Sequence, residues 1–140
     1  MQVQEGEGWR LVVDPAREPF AVLIGGNCWA AELTSSEART LSRGVARLVQ
    51  QHRDLAGSLM AEERLGLELE MELEAAAGVL WLALEGDRDR WSLRFVLTPG
   101  PAQRALEGSW SAAASLPLAA ALMAGLDVRR KRRRGSDQHC

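Results

Sequence analysis

The chain has 140 residues, of which 46% are apolar and 26% are charged, so a disordered protein is excluded and one globular domain is expected. The net charge of −2 is unevenly distributed: residues 127–140 carry six basic and two acidic side chains, a net charge of +4, which leaves −6 for residues 1–126. We therefore expect a single acidic domain at 1–126, followed by a basic, disordered tail at 127–140.

Three strands are predicted before the first helix. The segment GWRLVVD points Trp9, Leu11 and Val13 to one side, as in a strand with one face toward the core. A turn at DPAREP leads to FAVLIGG, a more continuously apolar strand. Its glycines lead through a further turn into the third strand, CWAAEL.

A long helix follows the third strand. Thr34 and Glu37 have the spacing of a capping box, which marks the start of a helix. Residues of one stripe then recur at spacings of four, three, four, three and four positions. The stripe consists of Leu41, Val45, Leu48, His52, Leu55 and Leu59. Gly57 is expected to end or kink the helix.

The stretch LGLELEMELE, residues 65–74, alternates leucine or methionine with glutamate. Leucine and glutamate both favour helices, but on a helix the four glutamates would scatter around every side. On a strand the glutamates share one face and the apolar residues share the other. We therefore predict a half-buried antiparallel strand whose exposed face carries Glu68, Glu70, Glu72 and Glu74.

More strands and a second helix complete the chain. The segment GVLWLALEGDRDRWSLRFVLT is typical of a hairpin with its turn at GDRD, and Pro99 and Pro101 end its second strand. The segment RALEGSW suits one further edge strand. A helix rich in alanine and leucine is predicted roughly from Ala113 to Ala124, with Pro117 in its first turn.

This order of elements, with three strands, a long helix, three or four strands and a second helix, predicts an α+β fold with antiparallel sheets. The two halves are weakly similar, because EGEGWRLVV and EGDRDRWSLRFV each place Glu-Gly before a strand that begins with tryptophan. That similarity indicates two copies of a strands-then-helix unit.

Several segments lie in order along roughly residues 5–125: EGEGWRLVVD, FAVLIGGNCWAAELTSSEA, LMAEERLGLELE, and WSLRFVLT followed by RALEGSW. Together they resemble a small cyanobacterial domain family of unknown function. The resemblance implies a fold like that of single-stranded-DNA-binding transcriptional coactivators and the plant Whirly proteins, with strongly bent antiparallel sheets and packed helices. It implies no activity, and the functional residues of the DNA-binding relatives do not map onto this chain.

The glutamate row at 68–74 has three interpretations. The favoured one is a solvated face, whose neighbouring carboxylates lie about 7 Å apart and repel by roughly 0.6 kcal/mol in water. Arg94, Arg90 or Arg88 would then pair with them across the sheet. A metal site needs carboxylates that converge from several directions, and a basic protein partner is the third interpretation. A sheet face that carries four carboxylates would repel phosphates.

Two further side chains and one glycine pair invite a chemical interpretation. His52, on the helical stripe, is best explained as a packed residue, since catalysis would need a partner such as Cys28 or Glu32. Cys28 is best explained as a small packed side chain. The glycines of LIGGNC suit a turn, because no Gly-Lys-Ser/Thr follows them. We predict no catalytic residue, no metal and no cofactor.

The densest charge feature is RRKRRR, residues 129–134, which suits contact with nucleic acid or another acidic surface. A solvated tail, or one folded back on the acidic domain, is the favoured alternative. No aromatic residue interleaves the run, so bases have nothing to stack on there. The candidate nucleic-acid-binding residues are Arg88, Arg90, Arg94, Arg129, Arg130, Lys131, Arg132, Arg133 and Arg134.

The expected location is the cytoplasm. Cys28 and Cys140 form neither a zinc site nor a disulfide framework, which favours a reducing compartment. The N-terminus lacks the basic start and apolar run of a secretory signal. The most apolar stretch, residues 112–126, contains Pro117 and is shorter than the roughly 20 residues of a membrane span, so no membrane association is expected.

Hypotheses from different functional classes follow. The leading one is a non-enzymatic interaction or binding module, homodimeric, with an unknown protein partner. The alternative is a weak single-stranded nucleic-acid-binding protein that uses the basic tail, which the acidic domain disfavours. An enzyme ranks third, since no general acid and base stand out from the pattern.

Overall fold

The computed structural model describes residues 1–74 and 78–139, with side chains described as far as Gly125. The chain forms two four-stranded antiparallel sheets, each followed by one helix. The first sheet and its helix consist of β1 (Gln2–Gly6), β2 (Trp9–Val13), β3 (Val22–Gly25), β4 (Ala30–Leu33) and α1 (Ser35–Ala56). The second sheet and its helix consist of β5 (Leu65–Glu72), β6 (Val79–Gly86), β7 (Trp91–Thr98), β8 (Leu106–Trp110) and α2 (Ala112–His139).

The predicted α+β class with antiparallel sheets is confirmed. In each sheet the strands hydrogen-bond in chain order, from β1 to β4 and from β5 to β8. Neighbouring antiparallel strands need only short connections, which agrees with the hairpin-length segments of the sequence. Two successive units of four strands and one helix are consistent with the predicted repeat.

The first sheet has one strand more than predicted. β1 has the sequence QVQEG, with a single apolar residue, Val3, so it carries no strand pattern of its own. It pairs with the edge of β2, where Gln4 lies opposite Leu11. The glutamines of β1 face the half-buried side, and Val3 is exposed. β1 is therefore held as a strand mainly by its hydrogen bonds to the edge of β2, and less by its own side chains.

Helix α1 begins and ends as predicted. The capping box is present, with Thr34 Oγ1 accepting from the Glu37 N–H and Glu37 Oε1 accepting from the Thr34 N–H, and Gly57 is the C-cap. The stripe is shorter than predicted, because Leu55 is 44% exposed and Leu59 lies beyond the helix. Its buried members are Leu41, Val45, Leu48 and His52.

The core unites the inner faces of both sheets with the two helices. α1 packs on β5 and β6, whereas α2 packs on β7 and β8 of the second sheet and on β1 and β2 of the first. α1 comes closest to the sheet at Gly44, where a Cβ would collide with Leu82 and lie 3.0 Å from the sulfur of Met71. The larger buried side chains include Trp110, Phe95, Leu11, Ile24, Leu33, Leu41, Leu48, Leu80, Leu82, Leu84, Leu93 and Leu118.

Two tryptophans join the sheets. The indole N–H of Trp110 donates to the Gly25 carbonyl at 2.8 Å, and that of Trp29 donates to the Ser109 carbonyl at 3.1 Å. Trp29 lies over Gly108, where a Cβ would approach its ring to 2.6 Å. The β3–β4 hairpin is therefore fixed to β8, and both inner faces belong to one core.

The last helix starts at Ala112, one residue before the predicted Ala113, and Pro117 lies in its second turn instead of the predicted first turn. Its backbone continues to His139, and the side chains after Gly125 lie outside the described residues. The division into a domain at 1–126 and a disordered tail at 127–140 concerns those residues and stays a prediction.

Candidate binding face

The outer face of the second sheet is the side of β5–β8 opposite the helices. The strand register places Glu70, Trp81, Val96 and Glu107 in one row across this face, one residue from each strand. The next row along the strands contains Glu68, Ala83, Arg94 and Ser109. These side chains are half-buried or exposed, whereas their neighbours along β6 and β7 are buried. We call this surface, which also contains Glu72, the Trp81 face.

The glutamates of β5 lie on this face as predicted, with one exception. Glu68, Glu70 and Glu72 are exposed, and the residues between them are half-buried because β5 is an edge strand. Glu74 lies beyond the end of β5, where it pairs with Arg39 of α1 at 3.7 Å. Three of the four carboxylates therefore share the strand face.

The basic residue at the centre of the face does not pair with the glutamates. The guanidinium of Arg94 lies 5.0 Å from the centroid of the Trp81 ring, an arrangement that stabilises by about 0.5–1 kcal/mol at an exposed site. On its other side the indole N–H of Trp81 donates to Glu68 Oε2 at 3.3 Å. Within the described part of the chain Arg94 makes no ion pair, so the expected cross-strand pairing with the glutamates is not observed.

An open groove of about 540 Å³ lies on the same face, toward the end of the hairpin that includes Pro99. Trp81 forms part of its wall, and Arg94, one row away, is outside it. Glu70 is the carboxylate at this groove. The other lining residues are apolar or small: Gly78, Val79, Val96, Thr98, Pro99, Gly100 and Pro101. A groove of this kind offers apolar contact next to a negative charge.

The β6–β7 turn closes the hairpin at the end opposite the groove. Oδ1 of Asp87 accepts from the N–H groups of Arg90 and Asp89 at 2.8 and 2.9 Å, and these bonds lower the pKa of the Asp87 carboxyl. The buried His52 of α1 donates from Nε2 to the Asp87 carbonyl at 2.8 Å and lies beside Trp91. His52 is therefore a packed residue with a satisfied hydrogen bond, as interpreted from the sequence.

The predicted nucleic-acid-binding residues with described side chains, Arg88, Arg90 and Arg94, do not form one cluster. Arg88 pairs with Asp89 at 3.5 Å in the turn, and Arg94 lies four residues beyond Arg90 along β7, about 13 Å away at the usual rise of a strand. Arg129, Arg130, Lys131, Arg132, Arg133 and Arg134 lie outside the residues with described side chains. The proposed group therefore stays a prediction.

Two further results concern reactive groups among the described residues. Cys28 is an exposed free thiol in the β3–β4 turn, which differs from the packed side chain that we expected. Among residues 1–74 and the described residues from 78 onward, no three His, Cys, Asp or Glu side chains are grouped as they would be to hold a metal ion. No helix in the described part of the chain is long and apolar enough to cross a membrane.

The groove and its tryptophan were not recognised in the sequence. β6 reads VLWLALEG, an almost unbroken apolar run, so its pattern does not say which residues face out. The sequence of β6 alone therefore does not show that Trp81 faces outward. The signal that could have revealed it is the pairing of β6 with the alternating strand β5, since Trp81 lies directly opposite Glu70.

The comparisons with known proteins give a family and a fold but no activity. A family model described as "Domain of unknown function (DUF1818)" matches residues 4–124. A protein of unknown function from Prochlorococcus sp. NATL2A, described as a member of the DUF155 family, has a crystal structure that is 33% identical with a TM-score of 0.80. The similarity covers 90% of this chain and 99% of that one. No curated protein matches.

These matches confirm the predicted resemblance to a small family of unknown function with a cyanobacterial member. The implied likeness to single-stranded-DNA-binding coactivators and Whirly proteins stays a prediction.

Proposed function

This chain belongs to the DUF1818 family of domains of unknown function, and we propose that it is a non-enzymatic interaction module whose Trp81 face binds a basic protein segment. One observation carries the proposal. Trp81 is held half-exposed on a sheet face, with Arg94 stacked on it and an apolar groove beside it. Partly exposed aromatic residues next to a groove are typical of protein recognition surfaces.

The chemistry of the groove favours an arginine or lysine side chain as the occupant. Such side chains bury their methylene stems against apolar surface and keep the charged head in contact with polar groups. Val79, Val96 and Pro99 offer the apolar wall, and Glu70 offers the carboxylate. The head group would gain a charge-assisted hydrogen bond with that carboxylate.

The charge of the face points to the same partner. Glu68, Glu70, Glu72 and Glu107 lie on it, and Arg94 is the basic residue among them. None of these four carboxylates forms an ion pair with another described residue. A basic segment is attracted to this field and a phosphate is repelled.

The expected affinity is modest. Each exposed ion pair contributes about 0–1 kcal/mol, and a cation over a tryptophan contributes about 0.5–2 kcal/mol. Because the entropy cost of ordering the segment offsets these contacts, we expect a dissociation constant near the millimolar range, which corresponds to about −4 kcal/mol. This is the range of a transient interaction.

A second candidate function rests on the basic run at 129–134. Six of the seventeen basic residues of the chain lie in these six positions. We propose that any affinity for single-stranded DNA or RNA comes from this run, is weak and falls steeply with salt. The carboxylates of the Trp81 face disfavour a nucleic-acid site on the sheet itself. For both functions the proposed location is the cytoplasm.

The test uses the full-length chain with the residues at 129–134 all changed to glutamine, which we call the tail-neutral chain. These changes prevent the protein's own cations from competing for the face. A fluorescein-labelled oligo-arginine peptide is titrated with the tail-neutral chain, and its anisotropy gives the dissociation constant. We expect Trp81→Ala to weaken binding by about tenfold, which is about 1.4 kcal/mol, and Glu70→Gln to weaken it less.

Matched controls lie away from the face. Phe20→Ala removes an aromatic side chain that is 46% exposed near the first sheet, and Glu62→Gln removes an exposed carboxylate before β5. Both should leave the peptide affinity unchanged, and the melting temperature of each variant confirms that it is folded. Equal affinities for all four variants would contradict the proposed site.

A further inference from the structure

The chain combines an acidic sheet face with a strongly basic sequence segment. The Trp81 face presents an apolar groove together with Glu68, Glu70, Glu72 and Glu107. Residues 1–126 have a net charge of −6, whereas residues 127–140 have a net charge of +4 and contain the run RRKRRR. The sequence therefore supplies both a site for basic side chains and a segment that suits it.

As far as Gly125, helix α2 runs along the inner side of the sheets, opposite the Trp81 face. α2 begins directly after β8 and lies on the inner side of the sheets, in contact with β7 and β2. At Gly125 a Cβ would lie 3.2 Å from Leu11 and 3.5 Å from Gln4, both residues of the first sheet. The helix then continues without interruption to His139.

The chain between Gly125 and the basic run is short, so the run does not easily reach the Trp81 face of its own chain. Only three residues lie between Gly125 and Arg129, so the two are four positions apart, a separation of about 6 Å in a helix and at most about 14 Å when extended. The Trp81 face lies on the opposite side of the second sheet from α2. To reach it, the run would have to leave the first sheet and pass around the edge of the second.

We infer that the basic run at 129–134 of one copy docks on the Trp81 face of a second copy, and that the exchange is reciprocal. The inference rests on the proposed function of that face and names its partner. In a dimer with two-fold symmetry each chain gives its run and receives its partner's, so two identical contacts form. Two weak contacts in one closed assembly bind far more tightly than either alone.

The full-length chain provides the test, because its mass in solution reports the assembly. We expect a dimer by sedimentation at about 10 mM ionic strength, where the screening length is about 30 Å, and a monomer at about 1 M, where it is about 3 Å. The tail-neutral chain should be a monomer in both conditions. So should a second full-length variant, the face-neutral chain, with Glu68→Gln, Glu70→Gln, Glu72→Gln and Glu107→Gln.

Mixing the two variants tests reciprocity. The tail-neutral chain keeps an intact face and the face-neutral chain keeps an intact basic run, so together they form one of the two contacts. We expect the mixture at low ionic strength to give a heterodimer with a dissociation constant at least tenfold weaker than that of the unmodified dimer. A control chain with Glu7→Gln, Glu62→Gln and Glu63→Gln, which removes carboxylates from outside the face, should dimerise normally.

The outcomes separate this inference from the proposed function. A monomeric full-length chain at low ionic strength would overturn the inference, and so would a dimer that persists in the tail-neutral chain. In either case, oligo-arginine binding that Trp81→Ala weakens in the tail-neutral chain would leave the proposed function standing. Absence of both peptide binding and dimerisation would overturn both.

Discussion

The two faces of the second sheet are built from the same four strands but differ in every property that bears on function. On the inner face Leu82, Leu93 and Phe95 are at most 1% exposed and pack against the helices. On the outer face Trp81 is half-buried and Glu70 is exposed. Because side chains alternate along a strand, adjacent residues of β6 and β7 face the core and the solvent in turn, and we propose that the first contribute to stability and the second to recognition. The two roles should therefore be separable by mutation.

The largest effect is expected on the inner face. Phe95→Ala removes a buried ring that packs on Trp29 and Trp110, and should lower the free energy of unfolding by about 3–5 kcal/mol. Its neighbour Val96 lies on the outer face, where Val96→Ala should cost less than about 1 kcal/mol. Urea unfolding of the two variants gives both values. Similar losses of unfolding free energy in the two variants would contradict the distinction between the two faces.

A second pair of changes tests the same distinction at the sheet edge. Leu69→Glu puts a carboxylate against the core beside Gly44, and should cost about 1–3 kcal/mol. Glu70→Leu, on the outer face, should change the unfolding free energy by no more than about 0.5 kcal/mol. The first cost is smaller than that of Phe95→Ala because Leu69 is only half-buried. Chemical denaturation measures both, and equal effects would mean that the strand faces the other way.

The sequence predicted the elements whose side chains follow a strict pattern. The alternation in β5 identified both the strand and the side that faces water, and the capping box at Thr34 located the start of α1. These signals are local, so they can be recognised without knowing which other elements the strand or helix packs against. The α+β class followed from the order of such elements.

The features that the sequence did not predict depend on contacts between elements. β1 has too few apolar residues to be recognised and is held by β2. The outward direction of Trp81 is set by pairing with β5, because the apolar run of β6 hides its own alternation. Arg94 was expected to pair with a glutamate, but the Trp81 ring occupies the adjacent position on the neighbouring strand and receives the guanidinium instead.

The Trp81 face is expected to repel nucleic acid, and a binding experiment with single-stranded nucleic acid tests this expectation. We expect the full chain to bind a random single strand weakly, with a slope of log affinity against log salt of about −3 to −4 if the basic run makes four to six phosphate contacts. The tail-neutral chain should not bind measurably, because the Trp81 face carries four carboxylates. Anisotropy titrations at two salt concentrations measure this. Tight binding by the tail-neutral chain would contradict this expectation and would mean that residues outside 129–134 bind nucleic acid.

The smallest effect is expected from removing the tail. Residues 129–134 repel one another, and no apolar residue lies among residues 129–139. Deletion of residues 129–140 should therefore shift the melting temperature by only a few degrees, measured at high salt so that assembly does not contribute. A large fall would mean that this segment stabilises the domain itself. It would contradict the idea that the domain provides stability and the basic run provides only recognition.

The central claim is that Trp81 lies in a binding face while the inner tryptophans do not. The chain has five tryptophans, and their indole N–H groups give separate signals in a ¹H–¹⁵N spectrum. The tail-neutral chain labelled with ¹⁵N is titrated with an oligo-arginine peptide, with Trp81→Phe used to assign the signal. Our account predicts that the Trp81 indole signal moves on titration while that of Trp110, whose N–H is buried against the Gly25 carbonyl, stays fixed. A fixed Trp81 signal in the presence of bound peptide would contradict it.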